Sequence, residues 1–253
     1  MRPVLTLLAG AGNAAVRLLL APACVACARE LARPLAGVVC PECWRAIPAL
    51  TAPLCARCGD ALPSWLTGGL CARCRRMPAR SVVARSAGRY EGPLREIIHA
   101  FKYDQRRLLA GPLSELLVRT GGDWLAEADA VIPVPLHPWR ALVRGFNQAD
   151  DLARQLRPPV WPALARRRAG PPQAALPAAR RHANVRGAFT LARWPTSRRV
   201  SWPRRLLGRD VLLIDDVMTT GATVEACSRV LQAAGVRRVR ALTVARAVTA
   251  RPG

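Results

Sequence analysis

The sequence predicts an α/β protein: a parallel sheet flanked by helices and preceded by a small cysteine-built module. Three observations point there. From about residue 80 onward, short uninterrupted apolar runs alternate with helical i, i+3, i+4 patterns, as expected of strands buried on both faces and of the helices that cover them. Before that point eight cysteines stand in four CxxC pairs. Finally, 51% hydrophobic residues leave a core to bury despite a formal net charge of +23, which excludes a wholly disordered basic chain. A length of 253 residues suits two modest domains.

At the amino terminus, residues 3 to 16 are uncharged and mostly apolar behind Arg2, a partial imitation of a signal peptide. Gly10, Gly12 and Asn13 interrupt the run, and Arg17 splits it from Leu18, Leu19 and Leu20. A charge at the centre of a span costs about 2.5–3.5 kcal/mol, so no membrane span is expected. Val4, Leu7, Leu8, Ala11, Leu18 and Leu19 share one helical face, so residues 1–23 read as an apolar packing helix of a cytoplasmic protein. The Gly10–Ala15 stretch mimics a dinucleotide fingerprint but lacks the βαβ unit of ~30 residues around it.

The cysteines Cys24/Cys27, Cys40/Cys43, Cys55/Cys58 and Cys71/Cys74 form an internal duplication: adding 31 to any cysteine of the first half lands on one of the second. A two-residue gap lets two thiolates turn toward one ion, and two such knuckles close a tetrahedral Cys₄ shell with no open coordination position. About two structural Zn²⁺ ions are therefore expected, in preference to disulfides or redox pairs. One ion per half closes the shorter loop and costs less entropy. Few large apolar residues lie between 24 and 74, so metal would supply much of the folding energy. Cys227, on a stripe with Val224, Val230, Leu231 and Ala234, reads as a small core residue.

Residues 81–90 then read as a strand, and Leu94, Ile97, Ile98 and Phe101 as one face of a helix whose other face carries Arg95, His99 and Lys102. Pro112 opens a further helix through Leu113, Leu116 and Leu117. Val131–Val134 is a short strand, Phe146, Ala149, Ala153 and Leu156 mark a helix, and Val160–Leu164 is a further strand candidate. Val211–Ile214, a helix from about 223 to 234 and Val239–Ala245 complete the pattern. Lys102 is the chain's sole lysine and follows Phe101, which excludes a Walker-type loop, because that loop needs a Gly-Lys pair.

The sharpest motif is VLLIDDVMTTGAT, residues 211–223. An apolar strand delivers Asp215 and Asp216, and a Thr/Gly loop opens the next helix. Backbone N–H groups at that helix start, with the hydroxyls of Thr219, Thr220 and Thr223, form a cradle for a phosphate dianion. Gly221 allows close backbone approach. The carboxylates suit sugar hydroxyls or a cation, since they would repel a phosphate. Phosphate at one end and a diol at the other describe a ribose 5-phosphate site.

This strand, loop and helix resemble the motif by which type I phosphoribosyltransferases bind 5-phosphoribosyl 1-pyrophosphate (PRPP). With the paired CxxC region, FKY at 101–103, PVPLHPWRALVRGFNQA at 133–149 and QAALPAARRHANVRGAF at 173–189, the chain resembles the ComF family of competence-associated, phosphoribosyltransferase-like proteins. The resemblance implies a double zinc ribbon over 24–78, a type I phosphoribosyltransferase-like domain over 79–253 and, in function, transfer of ribose 5-phosphate from PRPP with a link to DNA uptake. It implies that Asp215 and Asp216 contact the ribose hydroxyls beside Mg²⁺. The 5-phosphate would be held by Thr219, Thr220, Gly221, Ala222 and Thr223, and Val134, Pro135, Leu136 and His137 would form the pyrophosphate loop. Arg140 and Arg144 would lie near the leaving group, and Gln173, Arg180 and Asn184 fall in the place of the flexible catalytic loop. The main departure is an Arg- and Trp-containing stretch between Phe189 and Val211.

Thirteen arginines and no acid lie between Arg157 and Arg209. They read either as a solvated Pro/Ala-rich loop or as a polyanion-binding surface with Trp161, Trp194 and Trp202 ready to stack on bases. Single-stranded DNA is the partner this surface implies, and the resemblance to the ComF family adds competence-machinery proteins. The alternative function is a non-catalytic single-stranded nucleic-acid-binding protein built on the same fold.

Overall fold

The computed structural model describes residues 12–14, 16, 18–66, 69–77, 82–104, 106–167, 187–193 and 201–247. Two short helices, α1 (Pro41–Arg45) and α2 (Ala72–Arg76), each begin beside the third cysteine of a half and carry the fourth. Next come β1 (Val83–Arg89), α3 (Gly92–Tyr103), α4 (Ala110–Glu127) and β2 (Ala130–Pro133). They are followed by α5 (Pro138–Arg144), α6 (Gln148–Ala153), β3 (Leu164–Arg166) and β4 (Phe189–Leu191). The chain then forms α7 (Trp202–Leu206), β5 (Asp210–Met218), α8 (Ala222–Ala233) and β6 (Arg238–Arg246).

The main sheet has the order β1-β6-β5-β2, every pair parallel. Side-chain alternation along β5 divides the core in two. Leu212 and Ile214 join Leu94, Ile97, Phe101, Leu113 and Leu152 from α3, α4 and α6 on one face. Val211 and Leu213 join Val224, Cys227 and Leu231 from α8, with Trp202 and Leu206 from α7, on the other. This is the doubly covered sheet that the apolar runs predict, and Cys227 is the buried core residue expected of its stripe. Helix α4 crosses β6 at Gly121, where its backbone leaves helical geometry and an added Cβ would lie 2.6 Å from Leu242 Cδ1. A side chain at that crossing would overpack the layer.

Several expectations change in position. The candidate strand at Val160–Leu164 is displaced: β3 begins only at Leu164 and pairs antiparallel with β4 in a separate two-stranded sheet. Val160 contributes an isolated bridge to Val131. Strand β5 runs through the acidic pair to Met218 instead of ending at it, because Asp215, Val217 and Met218 remain paired with β6. Leu18 and Leu19 are exposed, so they do not pack as the amino-terminal stripe suggests; Val4, Leu7, Leu8 and Ala11 lie outside the described residues. Among the described residues no helix is long and apolar enough to cross a membrane.

The cysteines gather by halves. Cys24, Cys27, Cys40 and Cys43 form one cluster and Cys55, Cys58, Cys71 and Cys74 another, with all ligand atoms of each within 4.8 Å of one another. The Cys27–Cys40 and Cys58–Cys71 sulfurs are 3.8 and 3.7 Å apart. A Zn–S bond of ~2.3 Å gives a tetrahedron edge of about 3.8 Å, so both clusters fit zinc. Backbone N–H groups of Cys40 and Cys71 donate to the sulfurs of Cys24 and Cys55, both at 3.3 Å, the kind of outer support that orients metal ligands. Cys24, Cys40 and Cys43 pack into one face's core, and Cys55, Cys58 and Cys74 into the other's. Elemental analysis of purified protein is expected to give two zinc ions per chain, and their removal by chelation to lower the melting temperature.

Candidate functional site

The carboxyl ends of β2 and β5 open onto a cleft of about 550 Å³. In open α/β sheets this end of the strands is where ligands bind. Helix α3 supplies one wall with Lys102 and Tyr103, and the loop after β2 supplies Val134, Pro135 and Leu136. Arg140 and Arg144 enter from α5, Arg166 from β3, and Asp215, Asp216, Thr219 and Thr223 from β5 and the turn that follows.

Burial and the neighbouring Asp216 charge push the Asp215 carboxyl up to about 7, against a partial opposing pull from Lys102. The Asp216 N–H donates to Asp215 Oδ1 at 2.9 Å. Asp216 itself pairs with Lys102, with Nζ 3.0 Å from Oδ1. The two acids therefore differ: burial and a like charge favour the protonated form of Asp215, whereas Asp216 is paired with a cation.

Gly221 takes a left-handed conformation (φ 76°) and caps α8, a conformation in which a Cβ is disfavoured. Thr219 and Thr223 line the cleft, while Thr220 Oγ1 accepts from the Ala222 N–H at 3.3 Å. Thr220 thus shapes the turn and satisfies one of the helix's open donors. The remaining first-turn N–H groups of α8 have no intrahelical acceptor, as an anion cradle requires.

On the opposite side, His137 Nδ1 accepts from the Trp139 N–H at 3.3 Å and caps α5. Burial first, then the charges of Arg166 and Arg140, hold the His137 pKa down. Burial and Arg140 likewise depress the Arg166 guanidinium. Two groups thus sense the same positive field, which suits a polyanionic ligand. Arg144 donates to Gln148 Oε1 at 3.1 Å and to the Tyr103 hydroxyl at 2.9 Å, so it is braced within the wall. Asn147 donates to the Val134 carbonyl at 3.1 Å and accepts from the Ala149 N–H at 3.2 Å, tying the loop after β2 to the start of α6.

The structure thus brings Asp215, Asp216, Thr219, Thr223, Pro135, Leu136, Arg140 and Arg144 to one cleft. It gives His137 and Thr220 loop-shaping contacts. Gln173, Arg180, Asn184 and Trp194 lie outside the described residues. Lys102, grouped by sequence with a solvated helix face, belongs to the site, and its signal was its singularity as a lysine. Arg166, hidden among the thirteen arginines, is a cleft residue whose position depends on the small β3–β4 sheet. The stacking role expected of Trp161 and Trp202 is corrected: they are 8% and 6% exposed. The Arg205 guanidinium covers the Trp161 ring at 4.5 Å. A base cannot stack on a buried face.

Replacing Asp215 with Asn tests the electrostatics. A carboxyl raised above its unfolded value is stabilising while protonated, and the wild type loses that contribution as pH climbs from about 4 toward 7. The Asn variant has no such loss, so its stability relative to wild type should rise between pH 5 and pH 8. Over that window the difference is bounded at about 3 kcal/mol, at about 1.4 kcal/mol per pH unit for the two units between pH 5 and the raised pKa of about 7, and is measured by urea unfolding at each pH.

Comparison with known proteins places the chain among double zinc ribbon and phosphoribosyl transferase domain proteins. Residues 15–75 match the double zinc ribbon domain model, and residues 142–252 match the phosphoribosyl transferase domain model. The chain is 34% identical to Competence protein F of Haemophilus influenzae over 170 residues, 63% of this chain and 71% of that protein. It is 34% identical to DNA utilization protein YhgH of Escherichia coli K12 over 163 residues, 60% of this chain and 66% of that one. A hypoxanthine phosphoribosyltransferase structure from Staphylococcus aureus aligns at TM-score 0.30 and 14% identity, over 57% of this chain and 68% of that one.

Proposed function

The chain belongs to the ComF family, that of Competence protein F, and on that premise we propose that its cleft binds PRPP and transfers the ribose 5-phosphate to an acceptor. One observation carries the proposal: a strand buried on both faces delivers an acidic pair into the same cleft as a Thr/Gly turn that opens a helix. A sugar phosphate spans those two features. Its 5-phosphate meets the donors at the start of α8, and its vicinal hydroxyls donate to Asp216 and hydrogen-bond with Asp215.

Breaking the bond between C1 and pyrophosphate develops oxocarbenium character on the sugar and negative charge on the leaving group. Arg140 and Arg166 stand on the walls where that charge grows, and preorganised donors of this kind are worth about 2.7–4 kcal/mol of barrier each. Mg²⁺ takes hard oxygen ligands. The carboxylates of Asp215 and Asp216 fit it, and when bound with pyrophosphate it would neutralise leaving-group charge. Asp216→Ala is expected to abolish PRPP binding by calorimetry while the zinc content stays at the wild-type value. Undiminished binding in that variant rejects the assignment. PRPP consumption against a panel of bases tests turnover.

A second reading, single-stranded nucleic-acid binding, is favoured by a different surface. Trp65 is 78% exposed and lines a groove at the second cysteine cluster with Leu66, Arg73, Arg75 and Arg76. An accessible indole among arginines suits stacking on successive bases. If six phosphates are neutralised, log K should fall with log salt at a slope of roughly −4. Trp65→Ala should cost about 1–3 kcal/mol. An affinity indifferent to salt would refute this surface.

A further inference from the structure

In this chain every basic residue but one is arginine. The exception, Lys102, stands at the end of α3 with Nζ 3.0 Å from Asp216 Oδ1, the two side chains 15% and 14% exposed. The other basic groups on the cleft, Arg140, Arg144 and Arg166, are arginines. Where cationic charge alone is required, this sequence uses arginine, so the contact with Asp216 calls for something arginine does not supply.

The same structure shows that arginine can lock an aspartate from both sides. Arg107 grips Asp151 through Nε and Nη2, both at 2.7 Å, and occupies both carboxylate oxygens. Such a fork is geometrically locked. An ammonium is a compact point charge on a flexible four-carbon stem, and the single Lys102 contact to Oδ1 leaves a path for exchange. Arg144, meanwhile, is braced by Gln148 and Tyr103.

A pair of adjacent carboxylates is a poor neighbour for a ligand bearing phosphate and pyrophosphate. Pairing with Lys102 neutralises Asp216, and a ligand with its own anionic oxygens can take the ammonium over. We propose that Lys102 is an exchangeable counter-ion and a positioning residue. It moves from Asp216 to an anionic oxygen of the incoming PRPP, and so frees the Asp216 carboxylate to accept from the sugar hydroxyls at the moment of binding. No covalent bond is made or broken; one ion pair is exchanged for another. The inference rests on the PRPP reading above and assigns a role to a residue which that reading does not require.

The singularity of Lys102 makes the test direct. Reductive ¹³C-methylation of the full zinc-loaded chain marks Lys102 and the terminal amine alone. The Lys102 methyl resonance is expected to shift on addition of Mg–PRPP, and to shift without ligand in Asp216→Asn. Lys102→Met should weaken Mg–PRPP binding at least tenfold by calorimetry at unchanged zinc content. Lys102→Arg should fail to restore it. An unmoved resonance at saturating Mg–PRPP, Lys102→Met affinity within twofold of wild type, or full rescue by Lys102→Arg would each overturn the exchange while leaving PRPP binding intact. Absence of any Mg–PRPP binding by the wild type would instead bring down the underlying reading, and this one with it.

Discussion

Parallel pairing of β5 between β6 and β2 is the constraint on which the rest of the molecule depends. A strand hydrogen-bonded on both edges and packed on both faces has no freedom to slip, since a one-residue shift would send every side chain to the opposite face. Its apolar residues Val211–Ile214 fix the register, and the acidic residues that follow are delivered at a set height above the sheet. Both carboxylates reach the cleft, Asp215 while still paired with Thr243 of β6 and Asp216 one residue further on against Lys102. The cost of burying a carboxyl is met there by proton retention on one acid and a lysine partner on the other.

The cysteine clusters are joined to this sheet and not merely to each other. Arg246, fully buried at the end of β6, donates through Nη2 to Asp60 Oδ2 at 3.1 Å and to Cys58 Sγ at 3.7 Å. Arg246 is also the register partner of Met218. From the second knuckle, Arg73 reaches the Thr219 carbonyl at 3.4 Å. The Ala84 N–H donates to the Arg57 carbonyl at 2.8 Å, joining β1 to the loop between Cys55 and Cys58. The second cluster therefore braces the turn that opens α8, while the first packs against α3 on the other face of the sheet. Closed Cys₄ shells suit such bracing, because they fix loops too poor in apolar residues to fix themselves.

The positive charge, so conspicuous in the composition, serves several purposes. Some of it is structural: Arg237 and Arg238 hold Asp210 at the amino end of β5, with Arg237 foremost in pulling its carboxyl down to about 2. Some of it covers aromatic faces, as Arg205 does for Trp161 and Arg85 for Trp124. Arg140 and Arg166 supply the field of the cleft, which adds to burial in holding the His137 pKa down, while its Nδ1 caps α5.

Local chemistry was legible in the sequence wherever it repeats or has a period. The thirty-one-residue duplication fixed the eight sulfurs, the shorter loop favoured one ion per half, and apolar alternation gave the strands and the helices that cover them. The Asp-Asp and Thr-Gly run announced its site because all of its members lie within one strand and one turn. What required tertiary structure was every decision made between distant segments. Lys102 and Asp216 are brought together by packing α3 beside the sheet; Arg166 enters the cleft through a pairing of β3 with β4 that no periodicity encodes. Trp161 and Trp202 are buried by layers remote in sequence, and Trp65 is left outside. A linear pattern records what a residue is and which neighbours it has along one element, whereas charge partners and exposure are set by which elements meet.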